Sequence, residues 1–270
     1  MPELPEVETV VRDLGPLIIG RTISSIRVIT KKLREPWRKQ WNKAVINQRI
    51  EGLSRRGKYI FAALSDNNTL MLHLGMTGQL TIHAASEPAK DHIHLVFEFE
   101  NGRELRFRDV RRFGSARLFE PAGLVQFTSD HLGPEPFDLD PGYFRKKLAA
   151  TNRTLKAVLL DQKILAGVGN IYADESCFRS GLHPDRRADT LSPAEADRLR
   201  LAIEAVLTSA IEDRGSTIRD YIGGSGLKGT FQEAFAVYGR DGDACRTCST
   251  IIQVQRIAGR SSHYCSKCQR

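Results

Sequence analysis

The chain has 270 residues, 41% hydrophobic and 27% charged, enough apolar mass for one or two packed cores and too much for global disorder. Forty Lys and Arg against 32 Asp and Glu give a net charge of +8, which points to a polyanionic partner, nucleic acid or an anionic membrane surface. No apolar run reaches the about 18 residues of a membrane span, and no basic-then-apolar leader opens the chain, so a soluble intracellular protein is expected.

The first predicted element is a helix. Val7, Val10, Val11 and Leu14 recur at i, i+3, i+4 and i+7, Pro5 fits its first turn, and Gly15-Pro16 reads as its stop. Strand-like runs follow at 22–29, 50–54, 59–64, 70–74, 79–82, 95–100, 104–108 and 116–119. Turn signals such as Asp66-Asn67-Asn68 and Asn101-Gly102 separate them, the texture of a β-sandwich or barrel-like domain. Leu132-Gly133-Pro134-Glu135-Pro136 reads as a linker, and helical patterns take over at 142–149, 155–161, 170–179 and 192–213. Ser192, Pro193 and Glu195 form a helix-start signature, and Gly215 is the stop. Four glycines between Gly223 and Gly229 predict a mobile loop.

The basic excess is local. From Arg27 to Lys58 eleven Lys and Arg face only Glu35 and Glu51. A second cluster runs from Arg103 to Arg117, and a third fills the tail with Arg240, Arg246, Arg256, Arg260, Lys267 and Arg270. One such run is a solvated face; three fit a groove that tracks phosphates.

Four of the five cysteines sit in the tail as Cys245-x2-Cys248 and Cys265-x2-Cys268, the spacing of a four-cysteine zinc ribbon. Four thiolates leave no open coordination position, so one structural Zn2+ is expected, with a hairpin between the two pairs carrying Arg256 and Arg260 near its turn. Cys177 is left over and reads as a buried apolar filler.

The chain opens Met1-Pro2-Glu3. Proline in second place is compatible with removal of Met1, which would free a secondary amine able to attack an aldehydic or glycosidic carbon. Such an amine has a pKa of roughly 8, and the neighbouring Glu3 carboxylate could shuttle protons.

Pro2-Glu3-Leu4-Pro5-Glu6-Val7-Glu8-Thr9 resembles the start of the bacterial formamidopyrimidine-DNA glycosylases, also called 8-oxoguanine DNA glycosylase/AP lyases. So do Arg55-Arg56-Gly57-Lys58-Tyr59, His73-Leu74-Gly75-Met76-Thr77-Gly78, Asp109-Val110-Arg111-Arg112-Phe113-Gly114 and the 132–136 linker. Ala166-Gly167-Val168-Gly169-Asn170-Ile171-Tyr172 and Gly259-Arg260-Ser261-Ser262-His263-Tyr264-Cys265 continue the resemblance in family order. The sister branch, the endonuclease VIII-like enzymes, has glycine where this chain has Leu4.

The resemblance implies an α+β multidomain protein. It would have an N-terminal β-sandwich with an N-terminal helix over 1–130, a helical helix-two-turn-helix domain with a lesion-capping loop over 131–235, and a zinc finger over 236–270. It implies a base excision repair glycosylase that removes oxidised purines through a Pro2 Schiff base and then nicks the strand by β,δ-elimination. Glu3 would be general acid/base, Lys58 a proton donor and phosphate contact, and Arg260 the hairpin arginine on phosphates around the lesion. Met76, Arg111 and Phe113 would fill the void left by the extruded nucleotide. DNA contacts would come from His92, Arg111, Arg153, Lys156 and Asn170. The family often has Lys-His-Asp-His where this chain reads Lys90-Asp91-His92-Ile93-His94, so His94 stands as the alternative to His92. No organic cofactor is implied. The expected partner is duplex DNA bearing oxidised purines or abasic sites, met by a monomer in the bacterial cytoplasm, at the nucleoid, away from membranes. Two alternatives stay open: an endonuclease VIII-like enzyme preferring oxidised pyrimidines, and a non-catalytic zinc-ribbon DNA-binding protein.

Overall fold

The computed structural model describes residues 1–29, 33–216 and 228–270, so part of the predicted glycine-rich loop, 223–227, lies outside the described residues. The chain forms two compact units, one of residues 1–128 with 213–230 and the other of 129–212 with 231–270.

The first unit opens with helix α1 (Leu4–Ile18). Its apolar stripe is buried as the spacing predicts, but Gly15-Pro16 does not end it. Pro16 forfeits only its own N–H bond to the preceding turn, while Ile18 extends the stripe four residues past Leu14 and is 1% exposed, so burial offsets the lost bond. The helix stops where Gly20 turns to φ +82°.

Then come β1 (Ile23–Val28), a short helix α2 (Trp41–Val45) and β2 (Ile50–Arg56), β3 (Tyr59–Leu64), β4 (Thr69–His73), β5 (Gly78–Ala84), β6 (Ile93–Phe99), β7 (Arg103–Asp109) and β8 (Ser115–Phe119). Helix α3 (Pro121–His131) follows and buries none of its residues, which is why its sequence carries no amphipathic signal. The strands make two antiparallel four-stranded sheets, ordered β1-β6-β7-β5 and β2-β3-β4-β8. Leu14 and Ile18 of α1 join Leu72, Phe97, Leu105 and Phe107 of the strands in one core.

This topology places two connections side by side. β4 pairs with β8 in one sheet and β5 pairs with β7 in the other, so the β4–β5 and β7–β8 loops both cross between sheets at the same end of the sandwich.

The second unit contains α4 (Pro141–Ala149), α5 (Leu155–Leu159), α6 (Asn170–Ser180) and α7 (Pro193–Glu212). Thr154 caps α5 by accepting from the Ala157 N–H at 3.3 Å, and α5 ends two residues earlier than the sequence pattern indicates. Ser192 and Glu195 exchange the bonds of a capping box ahead of α7. The unit ends in a hairpin, β9 (Gln253–Ile257) and β10 (Arg260–Tyr264), joined by Ala258 and Gly259 at φ +50° and +73°. Cys177 is buried in α6, and burial pushes its thiol up, as befits an inert filler. Among the described residues no helix is long and apolar enough to cross a membrane.

Candidate active site and zinc centre

Pro2 and Glu3 lie immediately before α1 and are both buried, Glu3 to 2% exposure. Glu3 is the N-cap in extended conformation, and its N–H donates to Glu6 Oε2 at 2.8 Å. The other Glu6 oxygen accepts from the Ser216 N–H at 2.7 Å and from its hydroxyl at 3.1 Å. One buried carboxylate therefore holds both the backbone beside Pro2 and Ser216.

Lys58 occupies a two-residue turn between β2 and β3, with Gly57 at φ +56°. It is 6% exposed. Next to it Arg55 is drawn inward to Glu8 of α1 at 2.9 Å, which ties the helix that starts at Glu3 to the turn that carries Lys58. Burial would raise the Glu8 carboxyl, but the Arg55 and Arg12 guanidiniums hold it below the usual range.

The two sheet-crossing loops carry Met76 on one side and Arg111 to Phe113 on the other. They touch through backbone: Gly75 takes φ +62°, and a Cβ there would stand 2.4 Å from Gly114 N and Phe113 C. The Arg111 guanidinium lies 5.0 Å from the centre of the Phe113 ring, and Phe113 is 43% exposed, unusual for a phenylalanine. The three proposed void-filling residues are thus brought together on one pair of loops. Burial, then the charge of Lys58, pushes the His73 imidazole down to about 4. Its Nδ1 pairs with the Gly75 N–H at 3.1 Å, the entry to the Met76 loop.

His92 is exposed at φ +67°, whereas His94 is buried with Nε2 on the Asp109 carbonyl at 2.6 Å. Of the two histidines left open by the sequence, only His92 faces solvent.

In the second unit, Asn170 is the first residue of α6, and its amide donates to the Ser261 carbonyl at 3.1 Å. The same carbonyl accepts from Lys156 Nζ at 2.8 Å, and Lys156 also pairs with Asp174 at 2.7 Å. Asp174 accepts from the His263 N–H at 2.9 Å through its second oxygen. α5 and α6 are thereby fastened to β10 one residue from Arg260, which is exposed beside the hairpin turn. Lys156, one of the expected DNA contacts, is 0% exposed, with its ammonium on Asp174 and on the Ser261 carbonyl of the hairpin. Arg153 remains at the surface, paired with Asp161 at 3.0 Å. Glu6 and Asp174 were missed as site-shaping residues, because sequence gives no signal that a particular carboxylate will be buried and bonded.

The four Sγ atoms of Cys245, Cys248, Cys265 and Cys268 lie within 4.8 Å of one another, with Cys248–Cys265 at 3.4 Å and Cys245–Cys268 at 3.9 Å. Four thiolates around a zinc at about 2.3 Å would stand roughly 3.8 Å apart, so the set fits one tetrahedral ion.

Family models match in order along the chain. The formamidopyrimidine-DNA glycosylase N-terminal domain matches residues 1–116, the formamidopyrimidine-DNA glycosylase H2TH domain 132–221, and the zinc finger found in FPG and IleRS 242–270. The formamidopyrimidine-DNA glycosylase of Carboxydothermus hydrogenoformans is 43% identical over 273 residues, covering 100% of both chains. That of Geobacillus kaustophilus is 43% identical over 278 residues with the same coverage. A Lactococcus lactis FPG mutant solved with Fapy-dG-containing DNA superimposes with a TM-score of 0.94 at 35% identity, over 100% of both chains. The Lactococcus lactis Fpg solved with DNA containing an abasic site gives 0.93 at 35% identity, over 99% of both.

Proposed function

The chain belongs to the formamidopyrimidine-DNA glycosylase family, and from that premise we propose a reaction that runs through the Pro2 nitrogen. The protein is a base excision repair DNA glycosylase with AP lyase activity, acting on DNA that carries oxidised purines or abasic sites, and its tail is a zinc finger with one structural Zn2+. The Pro2 lone pair attacks C1′ of the damaged nucleotide as the bond from C1′ to the base breaks, and the base leaves with that electron pair and a proton. Glu3 handles protons at the sugar. The C1′–O4′ bond then opens as O4′ takes a proton, leaving an iminium between C1′ and the Pro2 nitrogen; the iminium acidifies the 2′ protons, loss of one expels the 3′ phosphate, and a second elimination releases the 5′ phosphate. Lys58 donates a proton and contacts phosphate near this centre, and Arg260 grips phosphates with a fork that fits their oxygens.

Extrusion precedes chemistry, because the glycosidic carbon is out of reach in a stacked duplex. Met76 and Phe113 wedge the gap, and Arg111 bonds the orphaned base. His92, Arg153 and Asn170 hold the backbone. The zinc keeps the Arg260 hairpin folded and takes no part in the reaction. The functional division we propose is a catalytic domain over 1–130, a DNA-binding domain with lesion-capping loop over 131–235 and the zinc finger over 236–270. The enzyme acts as a monomer in the bacterial cytoplasm, on nucleoid DNA.

The observation that carries this reading is a proline in second place, followed at once by a buried carboxylate, at the head of a chain from this family. Borohydride should trap the protein covalently on a duplex containing 8-oxoguanine, through Pro2. A trap that forms on oxidised pyrimidines and not on 8-oxoguanine would favour the endonuclease VIII-like alternative, and none on any lesion would refute an imine. Intact-mass measurement should find the active chain beginning at Pro2, since a retained Met1 makes that nitrogen an amide.

A further inference from the structure

Strand β7 ends on a carboxylate with no part in the chemistry above. Asp109 is 0% exposed, and its oxygens are shared between both wedge loops. Oδ1 accepts from the Thr77 hydroxyl at 2.5 Å, beside Met76, and from the Arg111 N–H at 3.3 Å. Oδ2 accepts from the Gly114 N–H at 2.8 Å, beside Phe113. The Thr77 hydroxyl also accepts from the Arg111 N–H at 3.0 Å and so closes the link between the loops. The backbone of Asp109 reaches a third segment, donating to the His92 carbonyl at 2.9 Å.

Gly75 takes φ +62° without strain, but the facing loop is not a relaxed turn: Arg112 has φ +60°, a conformation that costs energy for arginine. A buried carboxylate is costly without its donors, so each of these bonds supports the others.

We propose that Asp109 is a positioning residue for nucleotide extrusion: it locks the Met76 loop and the Arg111–Phe113 loop into a single wedge. This inference rests on the void-filling reading of those three residues.

The test uses the full zinc-loaded chain under single-turnover conditions, comparing excision of 8-oxoguanine with cleavage of a preformed abasic site. Asp109→Asn keeps the shape but turns an NH2 toward a donor. Because that variant could fail to fold, Thr77→Val is the second probe; it removes the bridging hydroxyl and leaves the bond from Gly114. Excision should fall about tenfold in Thr77→Val, the order expected for a lost hydrogen bond to a charged group. Abasic-site cleavage should fall less, and Thr77→Ser should restore excision. Adding Met76→Ala to Thr77→Val should cost much less than Met76→Ala costs the wild type, because the wedge is already displaced. Equal losses on the two substrates, no loss at all, or full additivity with Met76→Ala would each overturn the role of Asp109. Those outcomes leave the wedge itself standing; it fails separately, if Met76→Ala alone leaves excision untouched.

Discussion

Glu3 is buried at the head of a helix, and its place there separates binding from chemistry. Glu3→Gln preserves the shape of the N-cap and removes the carboxylate, so the variant is expected to bind lesion DNA with near wild-type affinity and to lose base excision. Normal excision measured by product release would exclude Glu3 as the proton-handling group. The proposed void-filling residues give a second test at this scale. Truncating Met76 or Phe113 to Ala should reduce processing of an intact lesion more than cleavage of an abasic site, where less extrusion work remains. Arg111→Ala should weaken both and blunt dependence on the opposite base, which steady-state assays with each pairing would reveal. The structure places Met76, Arg111 and Phe113 on loops. What the letters could not convey is that the two loops are neighbours. That follows from β4 pairing with β8 while β5 pairs with β7, a long-range choice with no local signal.

Elements were legible where one face is buried. All eight strands of the sandwich fall close to the alternating runs, and α7 begins where its capping box says. α3 was not legible because nothing in it is buried, and α2 is too short for periodicity to register. The end of α1 was misread because a Gly-Pro pair is a local rule and Ile18 is a tertiary fact. At this scale the hairpin bearing Arg260 is held twice, by thiolates at one end and by Lys156 and Asp174 at the other. Cys248→Ser should release zinc and lower duplex affinity with Pro2 untouched, as metal analysis and binding titration would report. Lys156→Ala should leave Asp174 buried without its ammonium partner and cost about 3–5 kcal/mol of stability in denaturant unfolding. A Lys156→Ala protein of wild-type stability with a shallower salt dependence of DNA binding would instead support the phosphate contact expected of this lysine.

For the whole molecule, charge is the quantity that meets DNA first. The +8 net charge is concentrated in three stretches of sequence, and a glycosylase must hold any duplex before it can inspect a base. Each phosphate neutralised by an exposed cation releases counterions, so the slope of log affinity against log salt counts such contacts. Arg260 and Arg153 are exposed, whereas Lys156 is wholly buried. Arg260→Ala is expected to make the slope shallower by about one unit, and Arg153→Ala by less, on lesion and undamaged duplex alike. Met76→Ala removes no charge and should leave the slope unchanged while lowering lesion excision. Arg153 starts from an ion pair with Asp161, so part of its gain on meeting phosphate is offset by losing that partner, and its change should be the smaller of the two. Titrating each variant against duplex DNA over a range of salt concentrations checks all three slopes. A shallower slope for Met76→Ala, or an unaltered one for Arg260→Ala, would mean that the wedge and the phosphate grip have been assigned to the wrong side chains.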